Sequence, residues 1–397
     1  MNTPNHFDAV GLDAGSLWTR CVICRLEDGQ MRFLGCGVTA SEGWAKGLIA
    51  DQEAASQSIL AALREAEANA QVSVEATVVG VGATVRGATC RGFRDLGRMR
   101  AVLQRDVNEA IAGAPRRVLL PEDTLVLHEF AQDFIVDGHP GHRDPRQMMA
   151  TQIEPNVYLV LASRRQHDTL VTAVNHASMA VEETVYEALA ACYASVLPED
   201  RREGVAVLDI GAQTSELIVY YGEALHLAAS LPLGGDHFTR DLARGVCITF
   251  EDAVTLKHEF GCVQSAATAE NSFVEVPSRE DRDVSRRTLN RILESRALDL
   301  FDLVRRELVR VGMESALIGG LLLAGGGAHM EGMCELAEDF LKCRVVNALP
   351  FGIRDWPDDM CEPSWSTAAG LAMYSAKLKS QREIQRQAYG LLGKILK

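Results

Sequence analysis

The sequence predicts a two-lobed α/β protein whose halves are structurally related and face one another across a cleft. Two observations carry this. A strand, glycine turn, strand, hairpin, strand arrangement occurs twice, about half the chain apart, and each copy places an acidic residue before its turn. Between the copies lie amphipathic helical stretches of the kind that pack on sheets. With 397 residues, 47% hydrophobic and 24% charged, the chain is long and apolar enough for two or three cores, which excludes disorder and fibres.

The first copy reads as a strand over 9–12, the turn Asp13-Ala14-Gly15-Ser16, a strand over 19–25, a hairpin at Asp28-Gly29 and a strand over 31–38. Helical spacing follows over 52–70 and again over 166–196, while Pro140 and Pro145 mark a loop. The second copy runs from 205 to 208 into Asp209-Ile210-Gly211-Ala212-Gln213-Thr214, then 216–221, a turn at Gly222-Glu223, and 224–231. Thr249, with Asp252 three residues on, caps a short helix that stops at Gly261. Residues 285–311 form a long amphipathic helix through Leu289, Ile292, Leu293, Leu300, Leu303 and Val304. The apolar stretch 316–328 holds five glycines and is too short to cross a membrane, so it predicts a buried strand entering a turn, followed by a helix over 330–340.

Charge and cysteine usage narrow the function. A net charge of −14 repels polyanions, and the densest basic stretch, Arg86, Arg91, Arg94, Arg98, Arg100 and Arg105, has almost no interleaved aromatics. That face is expected to be solvated or to contact another protomer, with no nucleic-acid partner. Ten scattered cysteines suit a reducing compartment, and Cys21 and Cys24 point to opposite faces of one strand, a poor geometry for zinc. Residues 1–10 lack the features of a signal peptide, which suggests a cytosolic protein. The histidines His6, His139, His142, His167 and His176 show no ligand spacing.

An acid at a strand end followed by a glycine turn presents backbone N–H groups to phosphate oxygens while its carboxylate holds Mg²⁺, directly or through water. One such turn ends a strand in many folds; Asp13 and Asp209 in matching contexts point to a nucleotide site. Gly325-Gly326-Gly327 after the buried strand allows a sugar and base to approach the backbone closely. Gly234-Gly235-Asp236 opens a helix whose N-terminus could face a phosphate.

These turns, in this order and spacing, resemble the actin-fold ATPases, and within them the FtsA family of bacterial cell-division proteins. The segments 133–145, 231–261 and Trp365-Ser366-Thr367-Ala368-Ala369-Gly370-Leu371 resemble runs of that family. The resemblance implies an actin-like fold of duplicated ribonuclease-H-like α/β domains with an inserted small α+β subdomain. It divides the chain into a first lobe (1–83 with 163–196), an inserted subdomain (84–162), a second lobe (197–380, with 232–312 as its small subdomain) and a C-terminal segment (381–397). It further implies ATP and Mg²⁺ between the lobes, held by Asp13, Gly15, Ser16, Asp209, Gly211, Gln213, Thr214, Gly234, Gly235, Asp236, Lys257, Gly325, Gly326 and Gly327. Asp13 and Asp209 would hold the metal, and Glu187, with Asp209, would serve slow hydrolysis by positioning the attacking water. Filaments, recruitment of other division proteins and binding of the FtsZ C-terminal tail, here through Arg286, Arg287, Arg291 and Arg296, follow from the same resemblance. Leu17-Trp18, Ala212-Gln213, Ala188 and Val254 depart from the family pattern, Val254 standing where a ribose-binding glutamate is usual. A pilus-assembly scaffold of the PilM type and a sugar kinase or phosphatase of the same superfamily stay open as alternatives.

Beyond Ala376 the chain gathers six cations against Glu383 alone. On a helix, Ile384, Ala388, Leu391, Leu392 and Ile395 form one apolar stripe with Leu396 at its edge, and Lys394 and Lys397 are among the cations. Such a helix lies flat on an anionic membrane surface, and the resemblance implies that this surface is the cytoplasmic face of the inner membrane at the division site, where the protein would be a peripheral tether for the FtsZ ring.

Overall fold

The computed structural model describes residues 6–395, with side chains up to Glu383 and Ile384 in the last helix. In chain order, β1 (Phe7–Ala14), β2 (Trp18–Glu27) and β3 (Gln30–Ala40) form a meander, followed by the small hairpin β4 (Trp44–Ala45) and β5 (Leu48–Ile49), α1 (Gln52–Ala70) and β6 (Ala76–Val81). An inserted group comes next: β7 (Arg86–Arg91), β8 (Arg94–Ala101), α2 (Gln104–Ala112), β9 (Thr124–Val136), β10 (His139–His142) and β11 (Met149–Ser163). Then α3 (Arg164–His176), β12 (Ala180–Tyr186), α4 (Glu187–Ser195) and α5 (Pro198–Glu203) lead to a second meander, β13 (Val205–Ile210), β14 (Ser215–Tyr221) and β15 (Ala224–Leu231). The remainder is α6 (Gly235–Gly245), α7 (Phe250–Phe260), β16 (Phe273–Val276), β17 (Arg279–Ser285), α8 (Arg286–Arg310), β18 (Gly320–Ala324), α9 (Met333–Leu341), β19 (Val345–Asn347), β20 (Ile353–Arg354) and α10 (Ser366–Ile395).

The two meanders head sheets of the same topology. In the first the order is β3-β2-β1-β6-β12, in the second β15-β14-β13-β18-β19, the first three strands antiparallel and the last two added in parallel. This identity of path makes the duplication explicit. The inserted group continues the second sheet: Arg86 of β7 pairs with Ala229 of β15, and Tyr158 Oη accepts from the Ala228 N–H at 2.8 Å. Its own small core is Leu96, Val107, Phe134, Val136 and Ile153.

Three expectations are corrected. The stretch 166–196 is α3, β12 and α4 rather than one helical run: the chain turns at Ser178, whose φ is 63°, and Val181, Thr184, Val185 and Tyr186 then extend beside β6. Residues 139–142 are a short strand paired with β9, where proline suggested only loop; Pro140 is tolerated because β10 is an edge. Residues 353–380, expected with the second lobe, pack on the first. There β20 pairs with β3, Trp365, Ala368, Ala369 and Ala372 bury against Val22 and Cys24, and Ser375 Oγ accepts from the Val10 N–H at 3.3 Å. A Cβ on Gly11 or Gly370 would overlap backbone of α10 and α4 respectively, so these two glycines set how closely sheet, α10 and α4 approach.

Cys21 and Cys24 are buried in different cores on opposite faces of β2, as the strand period requires. Among the described residues no helix is long and apolar enough to cross a membrane.

Candidate functional site between the lobes

The two glycine turns face the same cavity, of about 540 Å³, which lies between the lobes and is also lined by Lys257, the Gly325-Gly326-Gly327 turn and Thr367. Their backbones match. A Cβ on Gly15 would come 2.8 Å from the Trp18 carbonyl oxygen, and one on Gly211 would come 2.9 Å from that of Thr214, the residue three positions on in each case. Glycine is required at both for the same steric reason.

Four acids converge here. Asp13 and Asp209 end β1 and β13, Glu187 opens α4, and Glu216 stands on β14 directly across from Asp209. Burial raises all four. Asp13 is pushed up to about 7, with Arg20 opposing the shift and Asp209 adding to it. Burial raises Asp209, against the pull of a hydrogen bond from Thr367 Oγ1 at 2.5 Å and of Arg20. Glu187 rises well above the usual carboxylate range through burial first, then through Asp13, Glu216 and Asp209. Glu216 rises to about 8 by burial, although its carboxylate accepts from Ser230 Oγ and, at 2.7 Å, from the Ala83 N–H of the first lobe.

The glycines of the third turn divide their roles. Gly325, at φ 79°, has no room for a Cβ beside Asp209 Oδ1, and Gly327 packs on Ile210. A Cβ on Gly326 would meet nothing within 4 Å, so this backbone faces open cleft. At Gly234-Gly235-Asp236 the amides are already engaged. The Gly235 N–H donates to Gly211 O at 2.9 Å and the Asp236 N–H to Ala212 O at 2.7 Å, so the start of α6 braces the second turn rather than offering those donors to a phosphate. Gly234 packs tightly on the same turn and is not on the cavity wall, whereas Gly235, Asp236, Ser16 and Thr214 are. Gln213 also turns away: its Oε1 accepts from the Gly47 N–H at 2.6 Å and ties the β4–β5 hairpin to the second lobe. Lys257 Nζ donates to Gly235 O at 3.2 Å, and burial lowers its pKa.

This donor set fits a phosphorylated ligand. Glycine backbone is open to the cleft at Gly326, Lys257 lies on the wall, and the Trp44 Nε1–H, also on the wall, is buried with no acceptor among the described residues. No group of three or more His, Cys, Asp or Glu among the described residues could hold an ion by itself. A divalent ion would therefore be shared between Asp13, Asp209, water and the ligand's phosphates.

Glu216, Arg20 and Thr367 escaped the sequence reading. The signal for the first two was the hairpin register: each is the cross-strand partner of its turn's aspartate, seven residues on. Thr367 reaches Asp209 from across 158 positions, which no local pattern foretells.

The expected partner and membrane residues lie elsewhere. On α8, Arg286 donates to Phe260 O, Arg287 pairs with Glu270, and Arg296 pairs with Asp241 and Asp299. Arg291 is exposed and, among the described residues, without an ion-pair partner. Ile384 is exposed on α10. The backbone of α10 runs on to Ile395, but the side chains of Leu391, Leu392, Lys394 and Ile395, and all of Leu396 and Lys397, lie outside the described residues.

Comparison with known proteins agrees with the duplicated fold. The sequence model of the family described as cell division protein FtsA matches residues 206–370, and that of the SHS2 domain inserted in FtsA matches 82–161. The cell division protein FtsA of Pseudomonas aeruginosa is 32% identical over 94% of this chain and 90% of its own. That of Escherichia coli is 28% identical over 98% of this chain and 95% of its own. Among solved structures, the PilM-PilN type IV pilus biogenesis complex has a chain that aligns with a TM-score of 0.67 at 17% identity, over 92% of this chain and 98% of that one. MreB5 of Spiroplasma citri bound to ADP aligns at 0.54 and 12%, over 95% and 98%. Both structural likenesses speak to the actin-like fold. Sequence, inserted domain and fold together show that this chain belongs to the FtsA family of cell division proteins.

Proposed function

We propose that the chain binds ATP between its lobes as a conformational ligand for self-association, and that it tethers the FtsZ ring to the cytoplasmic face of the inner membrane through its last helix while recruiting other division proteins. The observation that carries the reading is the pair of sterically matched glycine turns, each with a buried aspartate, facing one cavity from opposite lobes.

In this reading the backbone at Gly15-Ser16 and Thr214 holds the phosphates, the Gly211 N–H closing the second turn by donating to Thr214 O at 3.0 Å, and Gly326 and Lys257 face the nucleoside. Bound Mg²⁺ would supply charge neutralisation for the phosphates, with Asp13 and Asp209 as its protein partners. A ligand touching both turns favours the closed arrangement of the lobes, because its contacts are made on both sides only when they approach. Two ties already cross the cleft, Gln213 to Gly47 and Glu216 to Ala83. Hydrolysis is slow in this account: burial and the neighbouring acids favour the protonated form of Glu187, the residue assigned to orient water, and a protonated carboxyl cannot accept a proton.

On α8, Arg291 offers an uncommitted cation for a short acidic tail, and the exposed Ile384 begins the apolar stripe of the tether. The test uses vesicles of anionic lipid and a labelled peptide of the FtsZ C-terminal tail. The full chain with ATP should carry the peptide into the pellet. A chain truncated after Ser380 should leave it in the supernatant, and Arg291→Glu should pellet without it. Equal sedimentation of full-length and truncated chains would refute the tether.

A further inference from the structure

Matching positions of the two hairpins carry opposite charges. Arg20 stands directly across from Asp13, as Glu216 stands across from Asp209, and directly opposed residues of an antiparallel pair share a face. All four line the same cavity. Arg20 is held there by an aromatic contact, its guanidinium carbon 5.6 Å from the centroid of Trp365, which is 7% exposed. Among the described residues, no side chain forms a hydrogen bond or an ion pair within 4 Å with that guanidinium, yet its charge reaches both Asp13 and Asp209. A cation thus stands on the cavity wall beside the first turn with its donors uncommitted.

The acids around it explain what it does. Asp13, Asp209, Glu187 and Glu216 face the same space, and a polyphosphate entering among them would be repelled by each one that is ionised. A divalent ion is one way to offset that repulsion. A guanidinium is another, because it keeps its charge at physiological pH and presents a planar fork matched to phosphate oxygens.

We infer that Arg20 is a resident cation of the cleft, so that a nucleoside polyphosphate binds here with little dependence on a divalent metal ion. This rests on the reading of the cleft as a nucleotide site. Arg20 donates to phosphate oxygens and screens Asp13 and Asp209, while Trp365 fixes its plane. The metal, when present, adds to affinity rather than making it.

Calorimetric titration of the full chain with ATP, in Mg²⁺ and separately in EDTA, tests this. The dissociation constants of the unchanged chain should agree within about threefold, because the guanidinium already supplies charge-assisted hydrogen bonds. In Arg20→Met the EDTA value should rise by about tenfold or more, the loss of one such interaction, with Mg²⁺ restoring much of it. Arg20→Lys, which keeps the charge and loses the fork, should bind a few-fold more weakly in both buffers without becoming metal-dependent, and it serves if Arg20→Met shows no cooperative melt. Binding of ATP by the unchanged chain only in Mg²⁺ would overturn the inference and leave the nucleotide site standing. An identical ratio between buffers for the unchanged chain and both variants would also overturn it. No binding in either buffer would remove both.

Discussion

Glu216 carries its carboxyl into a buried site, and the consequence is a stability that falls as pH rises. Its ordinary pKa is 4.5, and the folded protein raises it to about 8. Between those values the folded state holds a proton that the unfolded chain has released, so the stabilisation is complete below about pH 4.5 and is lost as pH climbs through 8. Asp13, raised to about 7, acts in the same direction. For each full proton the slope is about 1.4 kcal/mol per pH unit. Glu216→Gln keeps an oxygen for the Ala83 N–H and removes the charge, so its melting temperature should change less between pH 6 and 8.5 and exceed that of the unchanged chain at pH 8.5. A melting temperature of the unchanged chain that is level over this range contradicts the buried-acid reading. Asp13 and Asp209 were legible in sequence because each is followed two residues on by glycine, a local signal. Arg20 and Glu216 were not, because their role depends on strand register, and register becomes readable only once the two-strand turn is known to pair Asp13 with Arg20.

At the scale of elements, α10 and α4 meet closely at Gly370, where a Cβ would overlap the Ala190 carbonyl oxygen. Alanine is the better helix former by about 1 kcal/mol in an open helix. Here the overlap outweighs it: Gly370→Ala should destabilise by about 1–3 kcal/mol as the helices are forced apart. A urea titration checks the sign, and an unchanged or raised midpoint would show that α10 has freedom to shift. Helix α1 was legible because Ala55, Ile59, Ala62, Leu63 and Ala66 recur on one face; in the structure Asp51 caps it, accepting from the Glu53 and Ala54 N–H groups. The 166–196 stretch misled because apolar residues recur through α3, β12 and α4 alike, and only the left-handed Ser178 breaks the run. The tail that begins in the second half and packs on the first lobe was hidden for another reason: long-range packing of Ala368, Ala369 and Ala372 on β2 leaves no local trace.

Across the whole molecule the charge of −14 sets two opposite salt dependences. Protomers of like charge repel, so self-association should strengthen as ionic strength rises from 50 to about 200 mM and the Debye length shortens. Binding of the cationic tail to anionic vesicles should weaken over the same range. Analytical ultracentrifugation and vesicle sedimentation read the two, and a parallel response would mean that one surface serves both. The central claim is that three backbone turns drawn from both lobes hold one nucleotide. Amide hydrogen exchange with and without ATP measures it directly. Protection is expected together at residues 15–16, 211–214 and 325–327, and in Asp209→Ala it should be reduced at all three. Protection confined to one lobe, or unchanged exchange at every turn at saturating ATP, would contradict the account.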